Sequence, residues 1–176
     1  MKIDKEISEN NSLLIIVSGQ DYRELVNSTA KTVAKEGSVC YITLNKTSES
    51  LKESFSKKDV DLSKIIFIDA ITRTISEGPM QNTGVYFVKS PAALTDISIL
   101  VDKMISHNFK FFILDSISTL MVYQKADTVI KFLSYLITKA EQTKTKVVIY
   151  ALDIKEHKQV LDECSMSVEK VLNYKG

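Results

Sequence analysis

The sequence predicts an α/β protein of three layers, with helices on both faces of a mainly parallel sheet. Two observations carry this. Short, unbroken apolar runs recur along the chain, as LLIIV at Leu13–Val17, VCYITL at Val39–Leu44, FKFFIL at Phe109–Leu114 and VVIYAL at Val147–Leu152. Strands covered on both faces have this pattern. Segments with helical spacing lie between the runs, and strands that alternate with helices argue for a parallel sheet between two helical layers.

Each element follows in order. Leu13–Ser18 is a strand, and Asp21–Lys35 a helix whose Leu25, Val26, Thr29, Val33 and Ala34 recur on one side until Gly37 stops it. Val39–Leu44 is the second strand. Ser48–Ser56 is a short helix, with Leu51 and Phe55 one turn apart. Ile65–Ile68 is a third strand that ends at Asp69. Ser76–Gly84 holds both Gly and Pro and reads as an exposed loop. Val85–Val88 is a short strand.

Ser90-Pro91 then starts a helix by the rule that a cap precedes a proline. Its predicted buried face is Leu94, Ile97, Leu100, Val101, Met104 and Ile105. Phe109–Leu114 is a strand ending at Asp115-Ser116. Thr128–Thr143 is the clearest helix, with Val129, Ile130, Leu133, Leu136, Ile137 and Ala140 in one stripe. Val147–Leu152 and Val168–Tyr174 close the list. No repeat or composition break divides the chain, so a single domain is expected over residues 1–176, with its core at about 12–174.

Bulk composition excludes several classes. With 23 basic against 22 acidic residues and a net charge of +1, the chain has no electrostatic basis for strong unaided nucleic-acid binding. No apolar stretch approaches the ~20 residues of a membrane span, and MKIDKEISENNS has no signal-peptide core. Cys40 and Cys164 form no metal-spacing motif, and Cys40 inside a strand reads as a buried thiol. A cytoplasmic chain is the expectation.

In such folds ligands sit at the carboxyl ends of strands. Ser18-Gly19, Asn45, Asp69 and Asp115-Ser116 are those ends. The first follows a strand and opens a helix, as a phosphate-binding loop does. Laid on Gly19, the pattern G-x-x-x-x-G-K-[ST] puts Glu24 at its second Gly, Leu25 at its Lys and Val26 at its Ser/Thr. Glu24 adds a carboxylate where an anion should bind, Leu25 removes the cation, and Val26 removes the hydroxyl that binds Mg²⁺. Unit charges of like sign at ~4 Å repel by about 1 kcal/mol even in water. An ordinary strand–turn–helix with acidic residues in its first turn accounts for the same letters.

The order of elements meets residues that resemble the RecA-like ATPases of the KaiC-like kind, common in archaea. LLIIVSGQDYRELVNSTAKTVAKEG is similar to the family's strand, P-loop and first helix, and VCYITLNKTSESL to the next strand and its polar exit. FFILDSIS resembles the Walker B strand, and VIKFLSYLITKAEQTKTKVVIYALD the helix and strand after it. The resemblance implies a RecA-like P-loop NTPase fold in which Leu13–Val17 and Phe109–Leu114 lie side by side.

It also implies site roles. A pair of Glu follows the second strand in active members, one of them activating the attacking water. Asn45 and Lys46 stand there in this chain, and neither can serve as a general base. Asp115, followed by Ser116, matches the Asp that helps hold Mg²⁺ through water. Alone it is a poor magnesium site, and a polar strand end with a capping Ser is the preferred reading. The same applies to Asp69. His107 and His157 have no Cys, Ser or acid placed for a triad and read as surface residues.

The expectation is a catalytically inactive ATPase-fold domain, with no catalytic residue, cofactor or metal. It would act as a protein-binding or regulatory module whose partner is itself or an active RecA/KaiC-like ATPase. An ATP-binding protein or weak ATPase in which Arg23 or Lys46 replaces the missing cation is the alternative. A different doubly wound enzyme or a receiver-like domain phosphorylated on Asp69 is a third, although the acidic pair expected after a receiver's first strand is absent.

Overall fold

The computed structural model describes residues 3–175, so residues 1, 2 and 176 of the expected domain lie outside the described residues. Its order is α1 (Ile3–Glu9), β1 (Ser12–Val17), α2 (Tyr22–Glu36), β2 (Val39–Thr43), α3 (Ser48–Ser56), β3 (Ile65–Asp69), α4 (Thr72–Ile75), β4 (Gln81–Asn82) and β5 (Val85–Phe87). There follow α5 (Leu94–Ile105), β6 (Phe111–Asp115), α6 (Ile117–Tyr123), α7 (Ala126–Gln142), β7 (Lys146–Leu152), α8 (Lys158–Ser165) and β8 (Lys170–Tyr174).

The strands form one eight-stranded sheet in the order β4-β5-β3-β2-β6-β7-β1-β8. Every neighbouring pair is parallel except the β4–β5 hairpin. The three-layer fold class read from the sequence is therefore observed. All five residues of β2 and of β6 are buried, which is why those runs carry no polar alternation. Two cores result: α1, α2 and α3 cover one face, with Leu25, Val33 and Phe55 against Ile15 and Tyr41. On the other face α5, α6, α7 and α8 bury Val101, Leu120, Leu136 and Leu161 against Leu14, Ile42 and Leu114. Among the described residues no helix is long and apolar enough to cross a membrane.

Two expectations are corrected. First, β1 and β6 are not side by side, because β7 lies between them and pairs with both. Five of the seven β7 residues are buried, and so apolar a strand is most stable where neighbours cover both its faces and both its edges.

Second, the helix expected from Ser90-Pro91 begins only at Leu94. Ser90 and Pro91 enter a turn closed by the Ala93 amide on the Ser90 carbonyl at 3.0 Å, and Gln124 Nε2 holds the Ala92 carbonyl at 2.8 Å. Ile97, Val101 and Met104 are buried on α5, whereas Leu94, Leu100 and Ile105 are only partly covered.

Helix α1 occupies the polar N-terminal stretch, where the sequence predicts no element. Ile3 and Ile7, one turn apart, bury its inner side. Lys146 Nζ donates to the carbonyls of Ile7 and Ser8 at 2.9 and 2.6 Å, satisfying the open C-terminal end of the helix.

Candidate functional site

The carboxyl ends of β1, β2, β3 and β6 meet along one rim of the sheet. Only Ser18–Asp21 separate β1 from α2. Ser18 Oγ donates to Asp21 Oδ2 at 2.8 Å and accepts from the Asp21 amide at 3.2 Å. The Leu25 amide is already bonded to the Asp21 carbonyl at 3.0 Å. The helix thus starts within the stretch that a phosphate loop would leave open. Gly19 is exposed, a Cβ there would touch nothing, and the turn does not depend on glycine.

At the three template positions, Glu24 is exposed, Leu25 is fully buried and Val26 is nearly so. Leu25 and Val26 pack into the α2 core rather than facing the rim. A phosphate placed against this turn would meet the carboxylates of Asp21 and Glu24, with no cation from positions 25 or 26. Arg23 is exposed on the flank, in a groove of about 810 Å³ shared with Asn27, Lys31 and Ser54.

Asp115 ends β6 with no exposed surface. Tyr22, the first residue of α2, donates its hydroxyl to Asp115 Oδ1. Tyr41 on β2 donates to Oδ2 at 2.6 Å. Tyr150 on β7 packs edge-on against Tyr22 with ring centroids 6.1 Å apart. Burial pushes the Asp115 carboxyl up to about 8, against the pull of the two phenol donors. Burial likewise holds the Tyr41 and Tyr150 hydroxyls well above the usual phenol range. Thr29 Oγ1 and Tyr150 OH are buried without a hydrogen-bond partner among the described residues.

Asn45 is exposed at the end of β2, and its Nδ2 lies 3.4 Å from the Tyr22 hydroxyl. Ser116 caps α6 through its Oγ on the Thr119 amide. Lys46 is half-buried, and its amide bonds Thr43 Oγ1. The rim therefore brings Asp115, Tyr22, Tyr41 and Asn45 together and leaves Glu24 outside. Tyr22 and Tyr41 were not singled out in the sequence. Each follows from its place, one as the first residue of a helix and the other at the middle of the strand beside β6.

Asp69 is also buried, and both its oxygens are engaged. Oδ1 accepts from the amides of Ile71 and Thr72 at 2.9 Å each. Oδ2 accepts from the Ser48 amide at 2.7 Å and from Thr72 Oγ1 at 2.6 Å. With about four lone-pair positions on a carboxylate, little remains for accepting a phosphoryl group. His107 is exposed, as expected. His157 is half-buried before α8, with Nδ1 covered and unpartnered among the described residues, which corrects its reading as a surface residue.

No family model and no curated protein matches the sequence. Among solved structures, a KaiC-like protein, PH0186 from the hyperthermophilic archaeon Pyrococcus horikoshii OT3, superposes with a TM-score of 0.65 at 11% identity. The match covers 92% of this chain and 69% of that one. The chain thus has the RecA-like fold of a KaiC-like protein. At that identity the likeness concerns the fold alone.

Proposed function

We propose that this chain is a RecA/KaiC-like ATPase-fold domain that has given up nucleotide chemistry and serves as a protein-binding or regulatory module. One observation carries the reading: the polar residues of the rim bond one another rather than facing a ligand. Tyr22 and Tyr41 occupy both oxygens of Asp115, and Leu25 and Val26 are spent on the core.

Phosphoryl transfer depends almost wholly on positioning and charge stabilisation. Neither a phosphate cation nor a general base stands at the matching positions, since Leu25 is apolar and Asn45 carries no basic oxygen. Magnesium nucleotide does not fit these residues. The sheet and helices need none of the lost groups, so the fold persists without the chemistry.

Titration calorimetry with ATP and MgCl₂ tests the reading, and no saturable heat is expected through the micromolar range. A dissociation constant of a few micromolar (about −8 kcal/mol) would overturn it. If Arg23→Ala then abolished that binding, the atypical-site alternative would replace it. The module reading further predicts stable co-purification with a RecA-like ATPase or with a second copy of the chain.

A further inference from the structure

The groove of about 810 Å³ between α2 and α3 is lined by none of the rim residues Asp115, Tyr22, Tyr41 and Asn45. Its lining holds four cations, Arg23, Lys31, Lys57 and Lys58, against one carboxylate, Glu24. In a chain of net charge +1 that is a local excess. Arg23 and Lys58 make no ion pair among the described residues. Lys31 meets Asp59 only at 3.9 Å, and Lys57 holds Glu53 in an exposed pair at 2.6 Å. Pairs so exposed are weak, and another carboxylate can replace their acid.

The floor is built as well. Asn27 is 7% exposed and lines the groove between these cations. Its Oδ1 accepts from Ser54 Oγ at 3.0 Å, whereas Nδ2 has no partner among the described residues. Ser28 Oγ is turned to the Leu25 carbonyl at 3.0 Å. The donors left in the groove are thus the cations and one amide, and an occupant must accept from them. We propose that the groove docks an extended acidic segment of a partner protein, with carboxylates four residues apart.

Spacing selects that occupant. Residues 23, 27 and 31 stand one turn apart on α2, which separates Arg23 from Lys31 by ~12 Å along the axis. Extended residues advance ~3.3 Å each and alternate in face. Side chains i and i+4 of an extended peptide therefore share a face and lie about 13 Å apart. One carboxylate then meets Arg23 and the other Lys31, while the backbone between them passes the free Asn27 amide. Lys57 and Lys58 strengthen the second end, since their neighbour Asp59 reaches Lys31.

Other anions fit less well. A single phosphate group reaches only one of the two ends. A nucleic-acid strand is charged at every unit and would set phosphates against Glu24 and Asp59. An acidic peptide carries uncharged residues between its acids and avoids both.

Docking of this kind rests on the module reading and gives it a surface and a partner chemistry. The probe is a synthetic peptide of four Glu-Thr-Ser-Thr repeats, whose β-branched residues favour extended chain. Titrated into ¹⁵N-labelled protein, it should shift the amides of Arg23, Asn27, Lys31 and Lys58 and saturate in the millimolar range. A peptide of the same composition with its four Glu contiguous should bind several-fold more weakly. Lys31→Glu with Lys58→Glu should weaken the repeat peptide about tenfold and should instead take up a peptide of Lys-Thr-Ser-Thr repeats. Thermal melts report whether that variant folds. Lys58 is exposed, so Lys58→Glu alone serves if it does not, with a loss of about threefold. Arg23 stays unaltered in both variants, so failure here is distinct from nucleotide binding in the ATP titration. No saturable shift, shifts confined to other elements, or unaltered affinity in the folded variants would overturn the proposal. So would equal binding of the contiguous peptide, or tighter binding of inorganic phosphate or an oligothymidylate at the same amides.

Discussion

Two aspartates end neighbouring regions of the same sheet, both are buried, and they are displaced in opposite directions. Burial raises Asp69, yet hydrogen bonds from Thr72 and Ser48 overcome it and leave its carboxyl below the usual range. Burial raises Asp115 as well, and there it prevails, up to about 8. The partners differ. Asp69 accepts the first amides of two helices, Ser48 of α3 and Thr72 of α4, and such amides carry the positive end of the helix dipole. Among the described residues the Asp115 carboxyl has two phenols, neutral donors without a backbone field. A strand-end carboxylate is thus a structural anchor at one place and a sealed polar pocket at the other, according to whether helix amides reach it.

The largest effect should come from breaking the anchor. Asp69→Ala strips four hydrogen bonds from buried or half-buried groups and unpins the starts of α3 and α4. A loss of about 3 kcal/mol or more is expected in urea denaturation. If Asp69→Ala cost less than the substitution of an exposed charge, water would be replacing those bonds and the contrast would fail.

The pH dependence should separate the two residues next. Asp69 has a lowered carboxyl, so its contribution is present above the ordinary aspartate value of 3.8 and is lost as pH falls through its lower folded value. Asp115 is raised, so the folded state holds a proton that the unfolded chain releases. Its contribution is complete below 3.8 and drains away as pH rises toward about 8. One proton corresponds to a slope of about 1.4 kcal/mol per pH unit at its steepest. Denaturation curves between pH 5 and pH 8 (roughly the window that the two values define) should show that decline. Asp115→Asn should flatten it while leaving the acid limb, which belongs to Asp69, intact.

The sequence made the anchor's frame more legible than the pocket's contents. Central strands were readable because burial on both faces leaves runs such as Phe111–Leu114 without polar letters. The place of β7 between β1 and β6 was not readable, since strand order depends on which apolar run best fills the centre. Helix α1 was missed because only Ile3 and Ile7 face inward and the remaining residues are solvated. In the site, Glu24, Leu25, Val26, Asn45 and Asp115 could be compared with a template position by position. Tyr22 and Tyr41 belong to no template. Their hydroxyls meet Asp115 only after α2 and β2 are placed, so no spacing along the chain announces them.

The smallest expected effect isolates one phenol. In Tyr22→Phe the ring keeps its edge-on packing against Tyr150, and only the hydroxyl that serves Asp115 Oδ1 is lost. Asn45 loses a weak contact at 3.4 Å, but it is exposed and water can replace that bond. Tyr41 still covers Oδ2, so the stability loss at neutral pH should be about 1 kcal/mol. The more telling readout is the titration. A phenol that donates to the ionised carboxylate favours the charged form. Removing it should move the Asp115 carboxyl further upward, extending the loss of stability past the wild-type end point. Carboxyl ¹³C shifts of Asp115 followed against pH would read this directly. An unmoved titration would mean that Tyr41 alone supports the carboxylate and that Tyr22 closes the rim by its ring. A downward movement would mean that Tyr22 had been stabilising the neutral acid, and the account of opposing burial and donors would have to be reversed at that oxygen.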